Sequence, residues 1–318
     1  MKIVVTGAAG FIGAHVCRAL SATGNDVWGV DNFNSYYDPA LKRARVAALC
    51  PETAISQFDI SDTLRSLEFF DRIRPEVVIH LAAQAGVRHS IEHPEDYTRS
   101  NLVGFANVLE ACRRSGVEHL LYASSSSVYG DAVGPLSEDM AIGKPLSYYA
   151  ATKAANEAMA HSYANIFGFH CTGLRFFTVY GPWGRPDMAL FKFVDAIVHG
   201  QPIQLYNEGR SERDFTYIDD IVTGIARLLD KGDGNQIFNL GSNRPVKLTE
   251  YVDEISSALG ATATIELLPM QAGDVAKTHA NIEKLAKATG FRPSTPVSDG
   301  IGAFVRWYLE HRQEARAA

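Results

Sequence analysis

Tyr149-Ala-Ala-Thr-Lys153 sets a phenol and an ammonium four residues apart, which in a helix puts both on one face. A tyrosine titrates near pH ~10 and is a poor base at neutrality. A lysine cation and an oxidised nicotinamide beside it would both stabilise the phenolate and draw its pKa toward the working pH, as general-base catalysis requires. Such a pair can take the proton of an alcohol while a nicotinamide takes the hydride. A packed Tyr and a solvated Lys would explain the same letters in isolation, so the surroundings decide. Tyr122-Ala-Ser-Ser-Ser-Ser-Val-Tyr-Gly130 poses the same choice, since four serines alone read as a linker. Here an apolar run of strand length precedes them and Val128-Tyr129 follows, so the serines leave the carboxyl end of a strand.

A third signal is Thr6-Gly-Ala-Ala-Gly-Phe-Ile-Gly13 between an apolar strand pattern and a helical one. Glycines there allow a tight turn and close approach of backbone N–H groups to a pyrophosphate, beside the positive end of the helix dipole. Asp31 ends the second strand pattern, 24 residues after Gly7. A carboxylate there accepts both hydroxyls of an adenosine ribose and repels a 2′-phosphate, and its neighbours Asn32 and Phe33 supply no cation, so NAD is favoured over NADP. Asp59, beside Ile60, either bonds the adenine or caps the next helix. Leu81-Ala82-Ala83 offers small residues where backbone must pass close to the cofactor. The expected cofactor site is Gly7, Gly10, Phe11, Ile12, Gly13, Asp31, Asn32, Asp59, Ile60, Leu81, Ala82, Ala83 and Phe176, with Tyr149 and Lys153 at its reacting end.

The elements that must hold these groups alternate. Strand patterns at residues 2–6, 26–30, 55–58, 77–81, 117–123 and 170–175 are separated by amphipathic stretches. That order predicts an α/β chain with a doubly wound parallel sheet, whose ligands bind outside the carboxyl ends of the strands. Beyond Arg175 come a Gly/Pro-rich loop, a helix near 188–199, a strand-helix unit at 215–229, a strand at 235–240, then two or three helices and a strand at 264–267. We expect residues 1–175 plus about 214–243 to form the dinucleotide-binding domain, and about 176–213 plus 244–318 a smaller C-terminal α/β substrate-binding domain.

Composition narrows the partners. The 318 residues are 46% hydrophobic with a formal charge of −6, which gives no basic footprint for nucleic acid and no cationic block for an anionic membrane. No apolar run approaches the length of a membrane span. Cys17, Cys50, Cys112 and Cys171 lie far apart, so neither a zinc site nor a disulfide framework is expected. A cytoplasmic protein with reduced, mostly buried thiols and no metal follows as the expectation.

Together the Gly motif, Asp31, the serine tract, Tyr149/Lys153 and Arg213-Asp-Phe-Thr-Tyr-Ile-Asp-Asp220 resemble the extended short-chain dehydrogenase/reductases of the nucleotide-sugar epimerase/dehydratase type, over essentially the whole chain. The resemblance implies a Rossmann sheet, tightly held NAD that is recycled, a homodimer packed through helices near 101–114 and 149–166, and Ser125 as the hydroxyl beside Tyr149. The related 4,6-dehydratases carry Asp-Glu where this chain has Ser126 and Ser127, which disfavours dehydration. The segments 173–188 and 31–39 resemble the bacterial UDP-glucuronate 4-epimerases more than the glucose/galactose enzymes. Arg185 is then expected to bind a C6 carboxylate bidentately, the alternative being an Arg facing water on a mobile loop. Thr178, Ser126 and Ser127 would join it, with Arg88 a second candidate. Resemblance also assigns Arg213 to the diphosphate, Tyr206 to the uracil, and Gln271 or Asp274 to the ribose or phosphate. The implied reaction is reversible conversion of UDP-glucuronate to UDP-galacturonate through a 4-keto sugar. UDP-glucuronate decarboxylase, UDP-glucose 4-epimerase and an NAD-sensing binding protein are the rivals.

Overall fold

A computed structural model describes residues 1–142, 144–271 and 273–317, with side chains to His311. Seven strands form the main sheet: β1 (Lys2–Thr6), β2 (Asp26–Asp31), β3 (Ala54–Gln57), β4 (Val77–His80), β5 (His119–Ser125), β6 (His170–Phe176) and, later in the chain, Asn235–Leu240. Their order is Asn235–Leu240, β6, β5, β4, β1, β2, β3, and every pairing is parallel. The chain reverses its direction of build between β1 and β4, which opens a crevice at their carboxyl ends.

Both faces of this sheet are covered, and the residue alternation of β1 shows how. Ile3 and Val5 enter one core with Phe11, Ile79 and Ile221, while Val4 enters the other with Phe70, Val78, Phe105 and Leu109. Complete burial of each such side chain is worth roughly 1.5–3 kcal/mol. A strand with three successive apolar residues that feed both faces therefore belongs inside the sheet, as its place between β4 and β2 shows.

Three strands lie beside the crevice: β7 (Thr178–Tyr180), β9 (Glu212–Tyr217) and β11 (Pro245–Lys247), in the order β11-β9-β7, while β8 (Ile203–Leu205) pairs with β12 (Ile265–Leu267), the strand Asn235–Leu240 being β10. A third apolar cluster unites these with the Ala189–Val198, Leu248–Leu259 and Val297–Ala317 helices, and Phe215 stacks on Tyr251 with ring centroids 3.8 Å apart. The strand-helix unit expected at 215–229 is thus split: its strand lies in the small sheet, whereas the Ile218–Leu228 helix packs Ile218, Ile221 and Ile225 into the large core.

The Tyr148–Phe167 helix carries Tyr149 and Lys153. Ser147 caps it by accepting from the Ala150 N–H at 3.1 Å, and Gly168 ends it with φ 78°. Asn101, within the π-helical turn Thr98–Val103, fixes its flank by bonding Thr152 Oγ1 at 3.0 Å and accepting from Asn156 Nδ2 at 2.6 Å. The four cysteines are buried free thiols, and among the described residues no helix is long and apolar enough to cross a membrane.

Candidate active site

The first strand-helix turn is a cradle made of backbone. Gly7 has φ +71°, and a Cβ there would sit 2.7 Å from the Ala82 amide nitrogen; one on Gly13 would sit 2.0 Å from the Gly7 carbonyl oxygen. No larger residue fits either place without moving main chain. The Phe11–Ala22 helix opens from Gly10 with neither a side-chain cap nor an acidic residue in its first turn, so its leading N–H groups face the crevice unneutralised. Asp31 accepts from the Ala9 N–H at 3.0 Å and the Phe33 N–H at 2.8 Å. Burial raises its pKa, opposed by those N–H groups and by Lys42 and Arg45.

Asp59 accepts from Asn32 Nδ2 at 3.1 Å and the Ser61 N–H at 2.9 Å. The capping alternative fails, because Asp62, not Asp59, caps the Thr63–Ile73 helix. A cavity of about 790 Å³ runs from this cradle past Leu81, Ala82 and Ala83 to the carboxyl ends of β5 and β6, then on to β7 and β9.

At its middle stand Tyr149, Lys153 and Ser125. Lys153 is 2% exposed and donates to the Ala123 carbonyl at 2.8 Å; burial pulls its pKa down to about 7. Burial pushes the Tyr149 phenol up, against the lowering effects of the Ser125 hydroxyl and the Arg185 charge. The sequence led us to expect a lowered phenol, and in the protein alone the reverse holds: the cavity that shelters the pair desolvates the phenolate and weakens the lysine's charge together. The serines divide their tasks. Ser124 and Ser125 lie within β5, and Ser126–Tyr129 forms a 3-10 turn. Ser124 faces Glu157, Ser125 accepts from the Ser127 hydroxyl at 2.9 Å, and Ser126 and Ser127 line the cavity.

Beyond them the wall is charged. Arg185 donates through Nε to Asp187 Oδ1 at 2.9 Å and through an NH2 hydrogen to Oδ2 at 2.5 Å, and Tyr36 donates its hydroxyl to the same Oδ2 at 3.2 Å. Arg45, fully buried, ties this loop to the cradle by donating to the carbonyls of Trp183 at 3.0 Å and Ala9 at 2.7 Å. Arg185 therefore stands on an anchored loop, not on one facing water. Asp187 occupies the Nε/NH2 edge of the guanidinium, which leaves the NH1/NH2 edge for a second, planar acceptor. At the far end Arg88 pairs with Asp274 at 3.2 Å and lies 4.5 Å over the Tyr206 ring, while Arg213 bonds the carbonyls of Glu212 and Ala276. Burial depresses the Arg213 pKa, with Asp274 opposing that and Arg88 adding to it.

The NAD dependent epimerase/dehydratase family matches residues 3–241. The chain belongs to this family. It is 46% identical to Protein CapI of Staphylococcus aureus, over 98% of this chain and 99% of that protein. It is 44% identical to a probable UDP-glucuronate 4-epimerase of Rhizobium meliloti (strain 1021), over 99% of both. Among solved structures, UDP-glucuronic acid 4-epimerase from Bacillus cereus in complex with UDP-glucuronic acid and NAD aligns with a TM-score of 0.92 at 33% identity, covering 98% of this chain and 100% of that one.

In this epimerase/dehydratase chain one cavity gathers nearly every residue expected from sequence. Gly7, Gly10, Phe11, Ile12, Gly13, Asp31, Asn32, Asp59, Ile60, Leu81, Ala82, Ala83 and Phe176 line one part, Tyr149, Lys153 and Ser125 the middle, and Arg88, Ser126, Ser127, Thr178, Arg185, Tyr206, Arg213 and Asp274 the rest. Gln271 is not among the lining residues, and its buried Oε1 has no hydrogen-bond partner among the described residues. The cradle fits NAD: the glycines leave room where a Cβ would meet main chain, and Asp31 is positioned by backbone beside it. Sequence reasoning missed Lys42, which lines the cavity and holds Asn34 Oδ1 at 2.7 Å, because only the immediate neighbours of Asp31 were read for charge. It also missed Tyr36 and Asp187; the carboxylate two residues after Arg185 was the available signal.

Proposed function

We propose that the protein interconverts UDP-glucuronate and UDP-galacturonate by reversible 4-epimerisation through a 4-keto sugar. The carrying observation is that Tyr149, Lys153 and Ser125 share one cavity with the anchored Arg185 on one side and the dinucleotide cradle on the other. The names borne by the Rhizobium meliloti and Bacillus cereus relatives support the same substrate.

NAD, when bound, supplies the acceptor and later the donor for the hydrogen on the sugar's C4. The chain supplies position and proton transfer. Tyr149 takes the C4 hydroxyl proton, Ser125 bonds the reacting oxygen, and Lys153 sits one helical turn away to favour the phenolate. With the phenol raised by burial, the drop that catalysis needs depends on the positive ring of the bound cofactor. Arg213 would hold the nucleotide diphosphate, with Tyr206 against the uracil and Asp274 near the ribose or phosphate. Arg185, with Thr178, Ser126 and Ser127, would hold the C6 carboxylate while the 4-keto sugar turns to offer its other face. That intermediate is a β-keto acid, so firm alignment of the carboxylate also guards against loss of CO₂. Ser126 and Ser127 offer no carboxylic acid for dehydration.

The assembly reading is a homodimer. Val103, Ile166 and Phe167 expose 45%, 64% and 46% of their surfaces along the two helices expected to pair. A cytoplasmic location and a division into residues 1–175 plus 214–243 and 176–213 plus 244–318 complete the proposal.

The test is incubation of purified protein with UDP-glucuronate, with and without added NAD⁺, and product analysis by NMR. UDP-galacturonate at constant total uronate is the expected result, with turnover in the absence of added NAD⁺ reporting retained cofactor. UDP-pentose and CO₂ would reassign the protein as a decarboxylase, and turnover of UDP-glucose alone would reassign it as a hexose epimerase. Tyr149→Phe should abolish turnover, whereas an NAD-sensing protein would keep its ligand response.

A further inference from the structure

Tyr149 and Lys153 are two members of a longer series. Glu157 follows at the same interval, so residues 149, 153 and 157 stack on one helical face. That face meets three successive residues of β5. The Ser125 hydroxyl lies near enough to Tyr149 to favour its phenolate, the Ala123 carbonyl accepts from Lys153 at 2.8 Å, and Ser124 donates its hydroxyl to Glu157 Oε1 at 2.5 Å. Two rungs serve the reaction, and the third has no role in it assigned above.

The third rung is braced from the neighbouring strand. Arg175, register partner of Ser124 on β6, grips Glu157 with Nε to Oε1 at 2.9 Å and an NH2 hydrogen to Oε2 at 2.8 Å. The side chains are 4% and 6% exposed. The guanidinium lies 4.6 Å over the Tyr129 ring, whose hydroxyl bonds Asn239 Oδ1 at 2.7 Å. A buried ion pair is weak evidence for stability, since apolar residues of like volume often serve as well. What this pair adds is direction: a carboxylate with two oxygens fixed by one arginine leaves Oε1 aimed at a single hydroxyl, one residue before Ser125.

We propose that Glu157, braced by Arg175, is a positioning residue for catalysis, which locks Ser124 and thereby sets the end of β5 so that Ser125 meets Tyr149. The first serine of the tract is then the latch for the second. This inference rests on the epimerase reading for its kinetic test but has a structural test of its own.

Ser124→Ala removes the latch and leaves the ion pair whole. In the full-length enzyme it should lower kcat for UDP-glucuronate about 10- to 100-fold, the scale of a sub-ångström to ångström misplacement, with KM and melting temperature little changed. The double variant Glu157→Gln/Arg175→Met leaves no uncompensated buried charge; it should melt near wild type and still have the low kcat. Wild-type kcat in either variant would make the pair a stability element only and overturn the proposal. If the wild-type enzyme itself does not turn over UDP-glucuronate, the functional reading fails, and the crystal structure of Ser124→Ala decides this one. Ser125 drawn away from Tyr149 supports the latch, and an unmoved strand end sinks it.

Discussion

The two ends of the cavity are built from different materials. At the cradle the contacts belong to the main chain: Gly7 against Ala82, Gly13 against the Gly7 carbonyl, and Asp31 held by two backbone N–H groups. At the other end they belong to side chains: Arg185 to its near neighbour Asp187, Tyr36 to Asp187 across 151 positions, and Arg88 to Asp274 across 186. Main-chain contacts tolerate few residue types and are indifferent to what the ligand carries beyond its phosphates. Side-chain pairs can be exchanged one at a time, so substrate choice can vary there while the cofactor end stays fixed.

Gly13→Ala tests that contrast with the largest effect. The added carbon would lie 2.0 Å from the Gly7 oxygen, so the turn must open, at a cost of about 3 kcal/mol or more. The variant should purify without NAD and melt well below the wild type, as cofactor content and thermal unfolding would report. Normal NAD content would break the claim that backbone governs this end. Arg185→Lys is the counterpart. A point charge replaces a planar fork, and loss of a charged hydrogen bond of roughly 1.5–3 kcal/mol predicts KM for UDP-glucuronate raised about 10- to 100-fold. NAD content should not change, and a joint loss would show that the two ends are not separable.

The same contrast explains what the sequence disclosed. The cradle was legible because one run of eight residues carries it, and the central sheet because short apolar runs alternate with amphipathic stretches. The destination of β9 was not: Phe215 and its neighbours look like any strand, and only pairing with β7 and β11 removes them from the main sheet. Ser124 and Ser125 were assigned beyond the strand since serine is a weak strand former, yet Glu157 and the pairing to Arg175 and Phe176 keep them in it. Tyr36 and Lys42 were illegible for another reason. Their partners are set by how a loop folds back, and nothing in spacing fixes that.

Lys153 sits where the two ends meet, and its burial gives a pH signature. Its pKa falls from 10.5 to about 7 on folding. Between those values the unfolded chain holds a proton that the folded chain has released, so this group makes stability rise with pH across the window, by at most about 1.4 kcal/mol per unit. Below pH ~7 both states are protonated and the cost of burying the ammonium is fully felt. Urea midpoints of wild type and Lys153→Met, taken from pH 6 to 10, should converge as pH rises. A constant gap would mean that the lysine stays charged in the folded protein.

The finest test concerns Tyr36, on the loop that leaves β2 beside the cofactor end. Burial, with Asp187 adding to it, pushes its phenol up to about 12, so it stays a donor throughout the useful pH range. Tyr36→Phe leaves the Arg185–Asp187 pair in place and removes one hydrogen bond of about 1 kcal/mol, or roughly fivefold in an equilibrium constant. If Asp187 needs that bond to hold Arg185 toward the sugar, KM for UDP-glucuronate rises by about that factor while NAD retention is untouched. A fall in NAD retention instead would show that Tyr36 couples the two ends, and that the cradle reads the sugar through this loop.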